Sequence, residues 1–248
     1  MAQLLEIWRH PIKSHGREPL DSIEITAGKT LPGDRAYAVT HDNSDADGST
    51  WVPCQNFSRG SKAPGLMAID LVWDETQNIM TLSHPKLPDL IINPDDPADQ
   101  KRFLEWEDPL IPDNRAQSAR LVRATSQGMT DTDYPSVTIG NMSSHRAVAQ
   151  KLNQDISHLR WRCNFWLDGL GPWEEFEWVG RDIMIGDVTF EVRERCVRCL
   201  ATTANPKTGM RDADTLGALE AWGHREFTVY ATPKTSSILR IGDPVRLA

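Results

Sequence analysis

Long apolar runs are missing from this chain of 248 residues, and with them any segment able to span a bilayer. No charged-then-apolar stretch opens it: Leu4-Leu5-Glu6-Ile7-Trp8 already reads as a strand, so no secretory leader is expected. Cysteine is scarce. Four at this length cannot build a disulfide scaffold, and reduced thiols in a cytoplasm are the expectation. Positive charge is short as well. The 27 Lys and Arg against 35 Asp and Glu leave a net charge of −8, which argues against nonspecific nucleic-acid binding but leaves room for a local basic pocket. Internal repeats and low-complexity tracts are absent. So is the regular alternation of strands and helices that a doubly wound sheet requires.

What is present suits a mainly β protein. A hydrophobic content of 39% is enough to bury one large β domain or two smaller ones. Strand signals fall at Leu4 to Trp8, Ser22 to Thr26, Ala36 to Thr40, Leu66 to Val72, Met80 to Ser83 and Leu90 to Ile92, separated by Gly, Pro, Asp and Asn. Ile183, Ile185, Val188, Phe190 and Val192 alternate around the turn Gly186-Asp187, and Ile241-Gly242-Asp243 repeats that turn near the C-terminus, as β-barrel construction would. A helix is expected from Ser143 to Leu152, capped by Asn141, Ser143 or Ser144. Shorter ones are expected at Asp99 to Trp106, within a Pro- and Asp-rich crossing over 93–113, and at Thr215 to Trp222. The acidic loop from His41 to Gly48 resembles a calcium loop in composition only and reads as a solvated hairpin tip.

The segment Arg195-Cys196-Val197-Arg198-Cys199 concentrates the chemistry. Thiols beside fixed positive charge ionise more easily and become better nucleophiles and metal ligands. Three uses stand open on spacing alone. A redox dithiol needs the pair at the start of a helix, whereas Leu200 to Pro206 reads as extended chain and turn. A structural zinc site needs four ligands, to which Cys54, Cys163 or a histidine would contribute, but no second pair has ligand spacing. The third is a buried, inert pair in the core.

The rest of the chain breaks the tie. His10-Pro11-Ile12-Lys13-Ser14, Gly33-Asp34-Arg35-Ala36-Tyr37, the strand and helix over Val137 to Val148, Arg162-Cys163-Asn164, Val179-Gly180 with Gly186-Asp187, and Arg198-Cys199 with Asn205-Pro206 and Thr208-Gly209 occur in an order that resembles the MOSC family, the molybdenum cofactor sulfurase C-terminal domain. The similarity extends over nearly the full length to the subgroup that carries an additional N-terminal β domain and includes the mitochondrial amidoxime reducing component. The resemblance implies a β domain over 1–120, a MOSC β-barrel over 121–248, and a cofactor cleft between them.

It also implies a site. Cys199 is the implied protein ligand of molybdenum, a role that suits a soft thiolate. Lys13, Ser14, Arg35, Arg162 and Asn164 are the implied contacts of the anionic pterin and its phosphate, the molybdopterin, since burying an anion requires fixed donors and positive charge. Thr138, Asn141, Ser143 and Ser144 add a candidate phosphate site at a helix N-terminus. Cys196 carries no implied role. His145, His158 and His224 are candidate acids that read more simply as structural. Trp161, Trp166, Trp173 and Trp178 read as core, or as the mouth of a substrate pocket. Asn205 to Gly209 reads as a turn that positions the Cys199 loop.

The expected function is reduction of N-hydroxylated or other N- or S-oxide compounds at molybdenum, with no pyridoxal phosphate. The expected partners are a small N-hydroxylated substrate and a separate electron-donor protein, because no iron–sulfur cysteine pattern is present. Neither nucleic acid nor a membrane is expected. The alternative is a carrier of the cofactor, or of sulfur as a persulfide on Cys199, without turnover.

Overall fold

The structure, a computed structural model, describes residues 2–248. β1 (Gln3–Arg9) is followed by the short strands β2 (Glu18–Leu20), β3 (Ser22–Ile25) and β4 (Tyr37–His41). Next come the antiparallel meander β5 (Asp70–Asp74), β6 (Ile79–His84) and β7 (Leu87–Ile92), the helix α1 (Pro97–Glu107), and β8 (Ser118–Arg123), which pairs with β4. The second half runs β9 (Val137–Asn141), α2 (Met142–Leu152), β10 (Phe165–Asp168), β11 (Asp182–Ile185) and β12 (Val188–Val197). It ends with α3 (Thr215–Glu220), β13 (Glu226–Pro233), β14 (Ser237–Arg240) and β15 (Val245–Leu247). The fold is mainly β.

Eight strands share one sheet in the order β15-β11-β12-β13-β9-β10-β1-β2. Only β9 and β10 run parallel, and α2 connects them. The sheet rolls onto itself. Leu4 N–H donates to Asp243 O at 2.8 Å, Gly242 N–H to Leu4 O at 2.8 Å and Val245 N–H to Ala2 O at 2.9 Å, so β1 is joined both to β10 and to the chain entering β15. The two Ile-Gly-Asp turns meet at this seam. Gly186, with φ +55°, donates to Pro244 O at 2.9 Å, and a Cβ there would stand 2.7 Å from Asp243 Oδ2.

Inside the roll, Leu4, Ile7, Ile139, Phe165, Phe190 and Val229 form the main core. A second core of Ile12, Tyr37, Leu71, Leu82 and Phe103 lies beneath α1 and the smaller sheets. Each such side chain contributes about 1.5–3 kcal/mol on burial. The hydrogen bonding crosses the expected division near residue 120: β1 and β2 belong to the large sheet and β3 pairs with β14, while β4 to β8 and α1 make the smaller layer.

Local signals explain the helices. Asp96 caps α1 by accepting from Ala98 N–H at 2.9 Å and Asp99 N–H at 3.0 Å, with Pro97 in the first position, so the helix starts earlier than expected. Asn141 caps α2 by accepting from Ser143 N–H at 2.9 Å. The expected strand over Leu66 to Val72 is half a turn instead. Pro64 opens a 3-10 turn, Pro64–Ala68, and β5 starts only at Asp70; the fixed φ of proline favours the turn. Among the described residues no helix is long and apolar enough to cross a membrane.

Candidate functional site

A cleft of about 960 Å³ opens where the large rolled sheet meets the smaller layer. Lys13, Ser14, Arg35, Arg162, Asn164 and Cys199 all line it. Backbone bonds clamp the two N-terminal segments together: Arg35 N–H donates to His10 O at 2.7 Å and Lys13 N–H to Tyr37 O at 2.8 Å. Ser14, Arg35 and Arg162 have φ of +65°, +50° and +51°. The left-handed region costs an L-residue about 1–2 kcal/mol, and such strain clusters at functional sites.

The individual side chains are held differently. The Lys13 ammonium, buried, donates to Met129 O at 2.7 Å, Thr130 O at 3.3 Å and Asp131 Oδ1 at 2.6 Å, which uses all three of its protons. Asn164 Oδ1 accepts from Thr138 N–H at 3.0 Å and Thr138 Oγ1 at 2.9 Å, and its Nδ2 donates to Trp8 O at 3.1 Å. Arg162 uses two of its donors on Gly16 O at 3.0 Å and Ile12 O at 3.4 Å. Arg198 donates to Phe227 O at 2.8 Å, Trp161 O at 3.1 Å and Thr228 Oγ1. Cys199 follows β12 and precedes the 3-10 turn Leu200–Thr203. Its carbonyl accepts from Thr202 N–H at 3.2 Å and its thiol is exposed.

Charge in the cleft is unbalanced. Arg35 pairs with Asp34, Arg160 with Asp212 and Lys13 with Asp131, but Arg162 and Arg198 make no ion pair among the described residues. Burial, then the like charges of Arg35 and Arg17, push Arg162 down to about 9. The same field reaches His10, which burial and then Arg162 push down to about 3, so it stays neutral. The ammonium of Lys13 first and the guanidinium of Arg35 next hold the Asp131 carboxyl low. At an effective dielectric near 20, an anion about 4 Å from one guanidinium gains roughly 4 kcal/mol of Coulomb energy. The cleft is therefore built for an anion, with one accessible thiol on its wall.

Other expected residues go elsewhere. Cys196 is buried in β12, and burial raises its thiol against the pull of Arg198. Cys163 is buried and pushed up to about 12 by burial. All four cysteines are free, and among the described residues no three His, Cys, Asp or Glu gather to hold a metal, so neither a zinc cage nor a calcium loop forms. At the N-terminus of α2, Glu175 Oε2 accepts from Asn141 Nδ2 at 2.8 Å and Ser144 Oγ at 2.9 Å, so both side chains are engaged with a protein carboxylate. Of that group only Thr138 faces the cleft. His145, His158 and His224 do not line it, and of the four tryptophans only Trp161 does. Asp131, Tyr230 and Cys54 line the cleft without having been singled out for it; Arg59 Nη1 donates to Cys54 Sγ at 3.2 Å.

The hairpin after Cys199 braces the turn. Asp212 N–H donates to Thr203 O at 3.1 Å, and Arg17 Nη2 reaches Pro206 O at 2.9 Å.

Comparison with known proteins gives the following. Residues 130–246 match the model of the MOSC domain. Over 290 residues the chain is 23% identical to the mitochondrial amidoxime-reducing component 1 of Mus musculus, covering 98% of this chain and 81% of that protein. It is 29% identical over 141 residues to the molybdenum cofactor sulfurase of Drosophila grimshawi, covering 51% of this chain and 18% of that protein. Among solved structures, the YUAD protein from Bacillus subtilis aligns over 98% of this chain and 93% of that one, at 11% identity and a TM-score of 0.47.

Proposed function

Residues 130–246 are a MOSC domain, and from that premise we propose that the protein binds the molybdenum cofactor in its cleft and removes oxygen from N-hydroxylated compounds. The observation that carries this reading is one exposed thiol, Cys199, sharing a cleft with Arg162, a guanidinium that has no carboxylate partner. The donor set suits the group. The pterin phosphate is anionic, and Arg35, Arg162 and Arg198, which line the cleft, would be the groups to hold it. The metal is soft in this setting and meets a thiolate. No cluster of three protein ligands forms among the described residues, and the pterin dithiolene brings sulfur ligands of its own.

When bound, the cofactor supplies a two-electron centre able to take oxygen from an N–O or S–O bond. The chain does the rest. Cys199 would hold the metal. Arg162 has five N–H donors, of which two are used on the backbone, so it keeps three for the anion. Lys13 and Asn164 act through the walls: one ties the N-terminal loop to residues 129–131, the other ties β1 to β9 and β10. Trp161 and Met67 give the cleft an apolar side that limits water. Two electrons would come from a separate donor protein and two protons from solvent, and the oxygen removed from the substrate would leave as water.

Protein isolated from cells that make the cofactor is expected to carry stoichiometric molybdenum and to reduce benzamidoxime with an artificial donor. Cys199→Ser is expected to lose activity. Molybdenum-free wild-type protein from such cells overturns the reading. The exposure of Cys199 also favours a second reading, a sulfur carrier. Cyanide-labile sulfur on Cys199 with no turnover would establish that one instead.

A further inference from the structure

A second hollow, of about 530 Å³, lies on the other side of the loop that carries Arg59. Phe57, Ala63 and Ile111, all buried, give it an apolar floor beside the buried Ser58. Its rim carries Arg59, Lys62 and Arg115, and no Asp or Glu lines it. Lys62 and Arg115 are exposed, and neither side chain makes a hydrogen bond or ion pair among the described residues. Arg59 touches only the Cys54 thiol, at 3.2 Å.

Three cations without acidic partners around one hollow stand out in a chain of net charge −8. An inorganic anion would leave the floor unused, and a neutral apolar molecule would leave the rim unused. We propose that this hollow binds a small organic carboxylate with an apolar body, its carboxylate on Arg59, Lys62 and Arg115 and its body on Phe57, Ala63 and Ile111. Guanidinium and ammonium groups match a carboxylate head, and the flat floor matches an aromatic or short aliphatic tail. The site does not depend on the molybdenum reading. It borders the cleft through Arg59, which lines both.

Benzoate is the probe, titrated into the full-length protein by calorimetry at low salt. Saturable binding is expected, with Kd on the order of 0.1–1 mM for a ligand of this size. Acetate, which lacks the body, and benzyl alcohol, which lacks the charge, should each bind about tenfold more weakly or worse. The double variant Lys62→Ala with Arg115→Ala alters only exposed side chains and should keep the wild-type urea midpoint while losing about tenfold in benzoate affinity. Benzoate binding that is unsaturable, that the double variant leaves unchanged, or that acetate or inorganic phosphate matches would overturn the proposal.

Discussion

Asn164 separates two uses of the same side chain. It lines the cleft, yet it is 1% exposed and its carboxamide is engaged with protein. Replacing it with alanine removes the acceptor of Thr138 N–H and Thr138 Oγ1 and the donor to Trp8 O. Each bond contributes about 1 kcal/mol net, and a buried polar group left without a partner costs about 1–3 kcal/mol. The backbone bonds survive, including Trp8 N–H to Asn164 O at 2.7 Å, so the junction of β1, β9 and β10 loosens without coming apart. The expected loss is about 3–5 kcal/mol. At about 2–4 °C per kcal/mol for a chain of this size, that lowers the thermal midpoint by roughly 6–20 °C. Urea and thermal unfolding of cofactor-free Asn164→Ala measure this directly. Asn164→Asp keeps the acceptor for Thr138 but turns a buried carboxylate oxygen toward Trp8 O, so it should be destabilised as well, and its added negative charge lowers molybdenum content. A loss below about 1 kcal/mol in Asn164→Ala, accompanied by complete loss of molybdenum, would refute the reasoning and make Asn164 a direct contact of the ligand.

Two further outcomes test the surroundings of the cleft. Gly209 has φ +69°, and a Cβ there would stand 2.7 Å from Gly65 Cα and 3.1 Å from Gly65 O, so Gly209→Ala should cost about 2 kcal/mol or more in urea unfolding and displace the hairpin behind Cys199. His145 accepts from Trp161 Nε1 at 3.1 Å, and burial, then the charges of His158 and Arg160, push it down from 6.5 to about 4. The unfolded chain therefore takes up the proton first, and stability falls as pH drops from 6.5 toward 4, by up to about 1.4 kcal/mol per pH unit for this group. Urea midpoints at pH 7 and pH 4.5 should differ less in His145→Gln than in wild type. His10, lowered for similar reasons, keeps part of the slope.

The family resemblance implied one site for Lys13, Ser14, Arg35, Arg162, Asn164 and Cys199, because the order of the short segments that carry them, and no single segment, makes the match specific. Their division of labour was not legible. Lys13 is saturated by carbonyls 116 and 117 residues away, and the α2 N-terminus is claimed by Glu175, 31 residues from Ser144. Such partners are set by the roll of the sheet and leave no local trace. The roll itself was half visible. The hairpin around Gly186 alternates cleanly, whereas β13, with Phe227, Val229 and Ala231 buried, carries Thr228 at φ +67° and a pairing irregularity opposite Arg195 to Val197 that blurs the period. The strand expected over Leu66 to Val72 loses its first residues to the turn Pro64–Ala68, because buried Leu66, Met67 and Ala68 make an apolar run that periodicity alone cannot assign.

The geometry of Ser14, Arg35 and Arg162 ties folding to what the cleft holds. Glycine would adopt their positive φ at no steric cost. Three side chains there cost about 3–6 kcal/mol together, a large share of the roughly 5–15 kcal/mol that holds a domain folded. Two of the three are arginines that line the same cleft, and Arg35 Nη2 donates to the Arg162 backbone O at 3.1 Å. Burial first, and then the charge of Arg35, lowers the proton affinity of Arg162. Strain and repulsion thus both arise from presenting positive charge at one place. An anion lying between the guanidiniums removes the repulsion and leaves the backbone unchanged, so its binding energy adds directly to the folding free energy: about 2.7 kcal/mol at a hundredfold excess over its dissociation constant. Loading and stability in this cleft are one linked equilibrium, and a variant that relaxes the backbone by placing glycine at Arg162 would trade the first for the second.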